Sequence, residues 1–332
     1  MLTVNLLTAF RVSVFDLLSP QTAPKAPLDA AIARFMSAGL EFKAITIFSF
    51  LFGAGLAAQA DRGKVFLVKR LAFLLVLGLA HLYLVWNGDI LTLYALVGLV
   101  VVPFLGLPAW VLLALALASF TVLVLPFPWP WPFASREAME QHIDFARHVY
   151  PYGNFLQVLS FRIQEVRPIS YLLLWTVPRT FGLFFLGASA WKAGVFHGKR
   201  RRIVWLVAVL GVLAGVILVQ RERTASLASV LHGLGYSAIL LLAFDQPSLA
   251  RVRSAFVPIG RMSLTSYLTQ SVVLGFVFYG YGLGLFGRLG EASAFAIGLA
   301  LYVAQMIASA LWLRRYPMGP AEHVWRRVSQ RA

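Results

Sequence analysis

Apolar runs of about 18 residues or more, repeated along the whole chain and cut apart by charge, proline or glycine, leave this polypeptide few folds to choose from. The runs fall at 43–60, 65–86, 90–107, 108–127, 169–190, 203–220, 226–244, 256–279 and 293–313, nine candidate spans in all. They lack the period-two alternation of a transmembrane barrel. A backbone in hydrocarbon must satisfy its own hydrogen bonds, so each run predicts a helix. Of the 332 residues 60% are hydrophobic and 13% charged, where a soluble chain carries about 25% charged residues. The expected fold is all-α: a polytopic transmembrane helix bundle forming a single integral membrane domain over residues 1–332.

The segments between and before the spans carry their own signals. Residues 1–10 lack a basic leader region and are too short to cross a bilayer, so they read as the truncated outer half of a first helix whose beginning is absent. Leu28 to Gln59 looks like one long helix entering the membrane, with Asp29 as its cap. The insertion 129–168, on the outer face, predicts two amphipathic helices, either a hairpin lying in the interface with Trp129 and Trp131 as anchors or a substrate-gating lid. Ser135 caps the first, whose stripe is Met139, Ile143, Ala146 and Tyr150; Asn154 caps the second, with Phe155, Leu159, Ile163 and Val166 on one face. In the tail, 314–332, a short helix spaces Glu322 and Arg326 for an i,i+4 pair.

The net charge of +16 would suggest nucleic acid in a soluble protein. Here nine spans impose alternation on the loops, and the positive charge collects on one side: around Arg62–Arg70, Lys192–Arg202, Arg251–Arg261 and Arg314–Arg331. The opposite side is nearly neutral. The basicity is therefore topogenic, which argues against a nucleic-acid partner and places the carboxyl terminus in the cytoplasm, with a lipid bilayer as solvent.

One basic residue fits neither side. Arg179 stands near the middle of the 169–190 run, where a charge costs roughly 2.5–3.5 kcal/mol unless a partner or cavity compensates. It is either one member of a buried pair or a binding group for an anion, phosphate or carbonyl, and Pro178 before it predicts a break in the helix. His81 lies about five residues before the end of its span and Asp89 just beyond it, with His232 at a similar depth in another span. Asp89 has a sufficient reason as a helix cap. Two histidines at one level with a carboxylate also suit a catalytic polar site, because imidazole can act as a general base. Ser263, Ser266, Tyr267 and Gln270 recur at three- and four-residue spacing and form a polar helix face, either interhelical glue or the lining of a substrate site. Gly211 and Gly215 form a GxxxG packing signal.

Other chemistry is disfavoured. There is no cysteine, P-loop, HExxH, GxSxG or strand–helix GxGxxG, so no metal site and no bound cofactor is expected. Oligomeric state is not legible.

Four stretches carry a resemblance: Phe48-Ser-Phe-Leu-Phe-Gly53-Ala-Gly55, His81 through Trp86-Asn-Gly-Asp-Ile-Leu-Thr-Leu-Tyr94, Gly260-Arg-Met-Ser-Leu-Thr265-Ser-Tyr267-Leu-Thr-Gln270, and Gly319-Pro-Ala-Glu322-His-Val-Trp325-Arg326. Together they resemble the YeiB-like family of bacterial membrane proteins, domain of unknown function 418, across nearly the whole chain. The chain departs from the family pattern at its start, where an Asp-x-x-Arg-Gly element is expected and only Val4-Asn5 to Phe10-Arg11 is present. The resemblance implies about ten helices and a distant similarity to transmembrane acyltransferases. It suggests one functional expectation, acyl transfer from acyl-CoA as cytoplasmic donor to a small-molecule or lipid-linked acceptor outside, in which the residues themselves offer Arg179 to stabilise negative charge and His81 as base. The alternatives are a transporter of a small anion or lipid-like solute, with Arg179 as its site, and a scaffold without catalysis.

Overall fold

In the computed structural model, residues 2–18, 26–125, 131–198, 200–218, 225–244 and 246–330 are described, and every regular element among them is a helix. Six stretches are long and apolar enough to cross a bilayer: 27–58, 64–85, 155–192, 201–218, 225–244 and 291–312. Three shorter apolar helices, Leu91–Gly106, Ala109–Thr121 and Ser263–Phe278, account for the remaining runs. The chain is a multi-pass helical membrane bundle. Trp129 and the basic residues Lys25, Lys199, Arg221, Arg223 and Arg331 lie outside the described residues, as does Asp245.

The amino-terminal helical segment, α1 (Leu2–Asn5) continued by a π-helical turn over Leu6–Phe10, buries Leu2, Val4, Leu6, Leu7 and Phe10 in the bundle. The expected single helix from Leu28 to Gln59 is instead α2 (Pro27–Gly39) and α3 (Lys43–Ala58). The break comes at Phe42, whose φ of 58° lies in the left-handed region. That conformation costs a bulky residue of the order of 1–3 kcal/mol, so the surrounding packing must impose it. Nor does Asp29 cap its own helix. Its carboxylate accepts from the Ala292 N–H (2.8 Å) at the start of α13 (Glu291–Trp312), where Gly290 leaves room for it.

The hairpin of α4 (Lys64–Ala80) and α5 (Leu91–Val101) packs beside α3, and α6 (Ala109–Thr121) follows. In the insertion, α7 (Arg136–Tyr152) has the predicted Ser135 cap, which accepts from Ala138 N at 3.1 Å, and buries the predicted stripe. Trp131 lies tilted against Trp175, ring centroids 6.2 Å apart. The second amphipathic helix is not separate. Asn154 opens α8 (Phe155–Lys192), which runs 38 residues without a break through Pro168 and Pro178. Its predicted apolar face is also reversed: Phe155 and Ile163 point outward, while Val158, Phe161, Arg162 and Glu165 point in. In lipid the apolar side chains favour the outside, and the polar ones need partners within the bundle.

Small residues set the helix spacing. Gly53 of α3 meets the Phe184 backbone and Gly187 of α8 meets the Phe50 carbonyl, so the two helices touch backbone to backbone. On α9 (Arg201–Leu218) the GxxxG pair does as expected: Gly211 packs on Gly235, and Gly215 on His232, of α10 (Ala225–Phe244).

The run at 256–279 divides into amphipathic α11 (Ala250–Arg261) and α12 (Ser263–Phe278). The division is set by α14 (Pro320–Gln330). Its Glu322 accepts from Leu264 N (2.7 Å), Thr265 N (3.0 Å) and the Thr265 hydroxyl (2.5 Å), so the carboxylate caps α12 rather than pairing with Arg326. Trp325 donates to the Arg70 carbonyl (2.9 Å) beneath the Arg70 guanidinium, tying α14 to α4. Glu322→Ala removes a charged cap and is expected to lower stability by about 1–2 kcal/mol. Thermal unfolding in detergent checks this, and an unchanged midpoint would refute the capping role.

Candidate functional site

Nine residues after α4, His81 to Asp89, carry most of the buried polar chemistry at one end of the bundle. His81–Val85 form a π-helical turn, closed by Trp86 N donating to the His81 carbonyl at 2.8 Å. Such turns often mark functional sites, because the widened coil turns side chains off the regular helical register. Trp86 is 2% exposed and stacks on Phe10 at 4.5 Å, and Gly88 is required because a Cβ there would collide with the indole.

His81 and Asp89 form a buried pair, their side chains 1% and 0% exposed, with Nδ1 to Oδ1 at 3.0 Å. The other oxygen, Oδ2, accepts from Thr92 N at 2.7 Å. Asp89 therefore caps α5 and orients the imidazole at once. The Tyr267 hydroxyl accepts from Ile90 N and donates to Oδ1, both at 3.4 Å, and its ring lies 5.0 Å from that of His81. A carboxylate can only accept, so in the neutral imidazole Nδ1 carries the proton and the lone pair is on Nε2. That nitrogen is buried and has no hydrogen-bond partner among the described residues. The arrangement is one in which histidine can take a proton from a ligand.

A second cluster lies against the same segment. Glu165, 2% exposed, accepts from Asn87 Nδ2 (2.6 Å) and the Tyr150 hydroxyl at one oxygen, and pairs with His142 Nε2 (2.9 Å) at the other. Burial and the neighbouring carboxylate hold the Tyr150 phenol well above its usual range, so it stays a donor. Arg162, fully buried, donates through Nη1 to the Val85 carbonyl and lies over the Tyr279 ring at 5.7 Å. Its Nε and Nη2 make no close hydrogen bond among the described residues, and the Tyr281 hydroxyl lies near enough to the guanidinium to interact with it. Neither Arg162 nor Glu165 stands out in the sequence as a site residue. The signal was their three-residue spacing, which places both on one helix face.

Arg179 is buried on α8, 5.4 Å above the ring of the strained Phe42 and close enough to Tyr94 to interact electrostatically. The Tyr94 hydroxyl is itself engaged with Ser49 at 2.5 Å. Arg179 also keeps Nε and Nη2 open, and has no ion-pair partner among the described residues.

The other expected residues divide. Of the α12 stripe only Tyr267 joins His81. Gln270 donates to Gln305 on α13 (2.6 Å), Ser266 is buried with its carbonyl bonded to the same Gln305, and Ser263 is exposed at the helix start. Side chains 100° apart around a helix that faces two neighbours necessarily serve both. His232 makes an edge contact with Tyr236 at 4.8 Å and packs against Gly215 on α9, serving helix packing there. At the opposite, basic end a cavity of about 530 Å³ is lined by Lys64, Lys192, His197 and Asp61.

A family model described as "Protein of unknown function (DUF418)" matches residues 190–332, the part that includes Tyr267 and the Glu322 cap. "Uncharacterized protein YxaH" of Bacillus subtilis (strain 168) is 32% identical over 330 residues, covering 90% of this chain and 82% of that protein. The chain belongs to this family. "Uncharacterized protein YeiB" of Escherichia coli (strain K12) is 28% identical over 355 residues, covering 92% of this chain and 86% of that protein. The DUF418 match and these relatives agree with the resemblance carried by the four motifs. No solved structure matches.

Proposed function

We propose that this DUF418-family protein transfers an acyl group, within the bacterial plasma membrane, from a cytoplasmic thioester such as acyl-CoA to a hydroxyl of an acceptor at the His81 end. The observation that carries the reading is the buried His81–Asp89 pair with Nε2 open. In the step, Nε2 takes the proton of the acceptor hydroxyl as its oxygen bonds to the thioester carbonyl carbon. The carbon–sulfur bond then breaks, and the proton passes from His81 to the departing thiolate. Asp89 stabilises the imidazolium formed in between. The positive-inside rule places the basic end in the cytoplasm together with the carboxyl terminus, and the cavity lined by Lys64, Lys192 and His197 suits the phosphates of a CoA donor. Arg179, between the ends, has two N–H groups available to a thioester carbonyl or its oxyanion.

Purified protein in vesicles of native lipid, given labelled acetyl-CoA, is expected to release CoA and label the lipid or soluble fraction. Neither binding nor release would overturn the reading. Arg179 supports a second: passage of a small anion or lipid-like solute, with its open guanidinium as the binding group. Solute uptake into proteoliposomes without acyl donor, lost on Arg179→Met, would favour transport over transfer.

A further inference from the structure

Arg162 is a buried charge whose N–H groups the described residues satisfy only in part. Its Nε and Nη2, which make no close hydrogen bond among the described residues, form the guanidinium edge whose N–H bonds run parallel. The neighbouring carboxylate, Glu165, is three residues away on the same helix face, yet its oxygens are taken by Asn87, Tyr150 and His142. The ring beneath the guanidinium is Tyr279. A water molecule would satisfy one N–H there, whereas a phosphate or carboxylate fits the parallel edge with two oxygens. Two more open polar atoms belong to the adjoining segment: Trp86 Nε1 and His81 Nε2.

We propose that Arg162 is the anchor of an anion subsite that binds a phosphate or carboxylate group on the ligand received at the His81 end. Calling that ligand the acceptor rests on the acyl-transfer reading; the anion site itself does not. The acceptor is then an anionic alcohol, its hydroxyl directed to His81 and its charged group held by Arg162. The turn after α12, which carries Tyr279, is fastened to α7 by Gly280 N donating to the Tyr150 carbonyl at 2.7 Å.

The test uses thermal unfolding of the full chain in detergent, at matched ionic strength, with glycerol, glycerol 3-phosphate and acetate as probes. Phosphatidylglycerol and phosphatidylcholine added to the micelles form two further arms. Glycerol 3-phosphate or acetate is expected to raise the midpoint saturably where glycerol does not, and a response confined to phosphatidylglycerol supports the same site with a lipid headgroup as its source. The effect should persist in His81→Gln, disappear in Arg162→Gln, and weaken about tenfold in apparent Kd, or 1.4 kcal/mol, in Arg162→Lys. The proposal is overturned if no anionic probe stabilises the wild-type chain, which needs no variant to fold. It is equally overturned if Arg162→Gln or Arg162→Lys retains full response, or if the response is lost in Arg179→Gln alone. Inactive His81→Gln that still binds the anion, or active protein that binds none, separates this inference from acyl transfer.

Discussion

Replacing His81 by glutamine is expected to reduce acyl release by about 100- to 10,000-fold, the range a positioned general base contributes, while leaving the unfolding midpoint close to that of the parent. Glutamine can still donate to Asp89, so the buried carboxylate keeps a partner, but it cannot accept a proton. Asp89→Asn is expected to reduce turnover comparably for a different reason. An amide can stabilise no imidazolium and can reverse the tautomer by donating to Nδ1, which moves the proton to Nε2. Because Oδ2 also caps α5, this variant should lose some stability as well. CoA release in native-lipid vesicles checks both, and equal turnover in parent and His81→Gln would remove the histidine from the reaction.

Gly187→Ala is expected to destabilise the bundle more than any polar change described above. A Cβ at this position would overlap the Phe50 carbonyl oxygen and the Ala54 nitrogen. Both belong to backbone, which has no rotamer through which to yield. Overpacking of this kind costs about 1–3 kcal/mol and can exceed that where backbone must move. Gly53→Ala presses the same interface from the other side, against Phe184, so the double variant should fall short of the sum. Gly55 is the internal control: two residues along α3 it has nothing within 4 Å, and alanine there should be neutral or mildly stabilising. Folded yield and unfolding midpoint measure all four proteins. If Gly187→Ala matches Gly55→Ala, the helices do not approach as closely as described.

Much of the site was legible in part. His81 and Asp89 stood out because a histidine near a span end and a carboxylate just beyond it are uncommon in an apolar chain, and Tyr267 because it sat on a polar helix face. Arg179 stood out by its expense. Arg162 and Glu165 stayed hidden for a physical reason: an amphipathic pattern gives the period of a helix but not which face is in. Read as an interfacial helix, Phe155–Val166 turns its apolar face to the protein; as the start of a membrane helix it turns that face to lipid and its charges to the core. His232 shows the converse error. Equal depth in two spans says nothing about whether those spans are neighbours, and α10 packs on α9 and α3.

The caps make the same distinction. Ser135 and Asn154 act on their own helices, within three residues, and such local bonds follow from residue type and spacing. Asp29 and Glu322 cap helices far along the chain, a choice that depends on which helix ends the packing brings together. By itself the sequence determined the helical class, the apolar runs, the charge asymmetry and the local caps, since hydrophobic length, the need to satisfy backbone hydrogen bonds and short-range spacing act along the chain. Only the tertiary structure decided that α8 is continuous, that His81 meets Asp89 and Tyr267, and that Arg162 and Arg179 keep an open edge. Those depend on which faces meet, and in a bilayer that is governed by shape and polar partnership between distant helices.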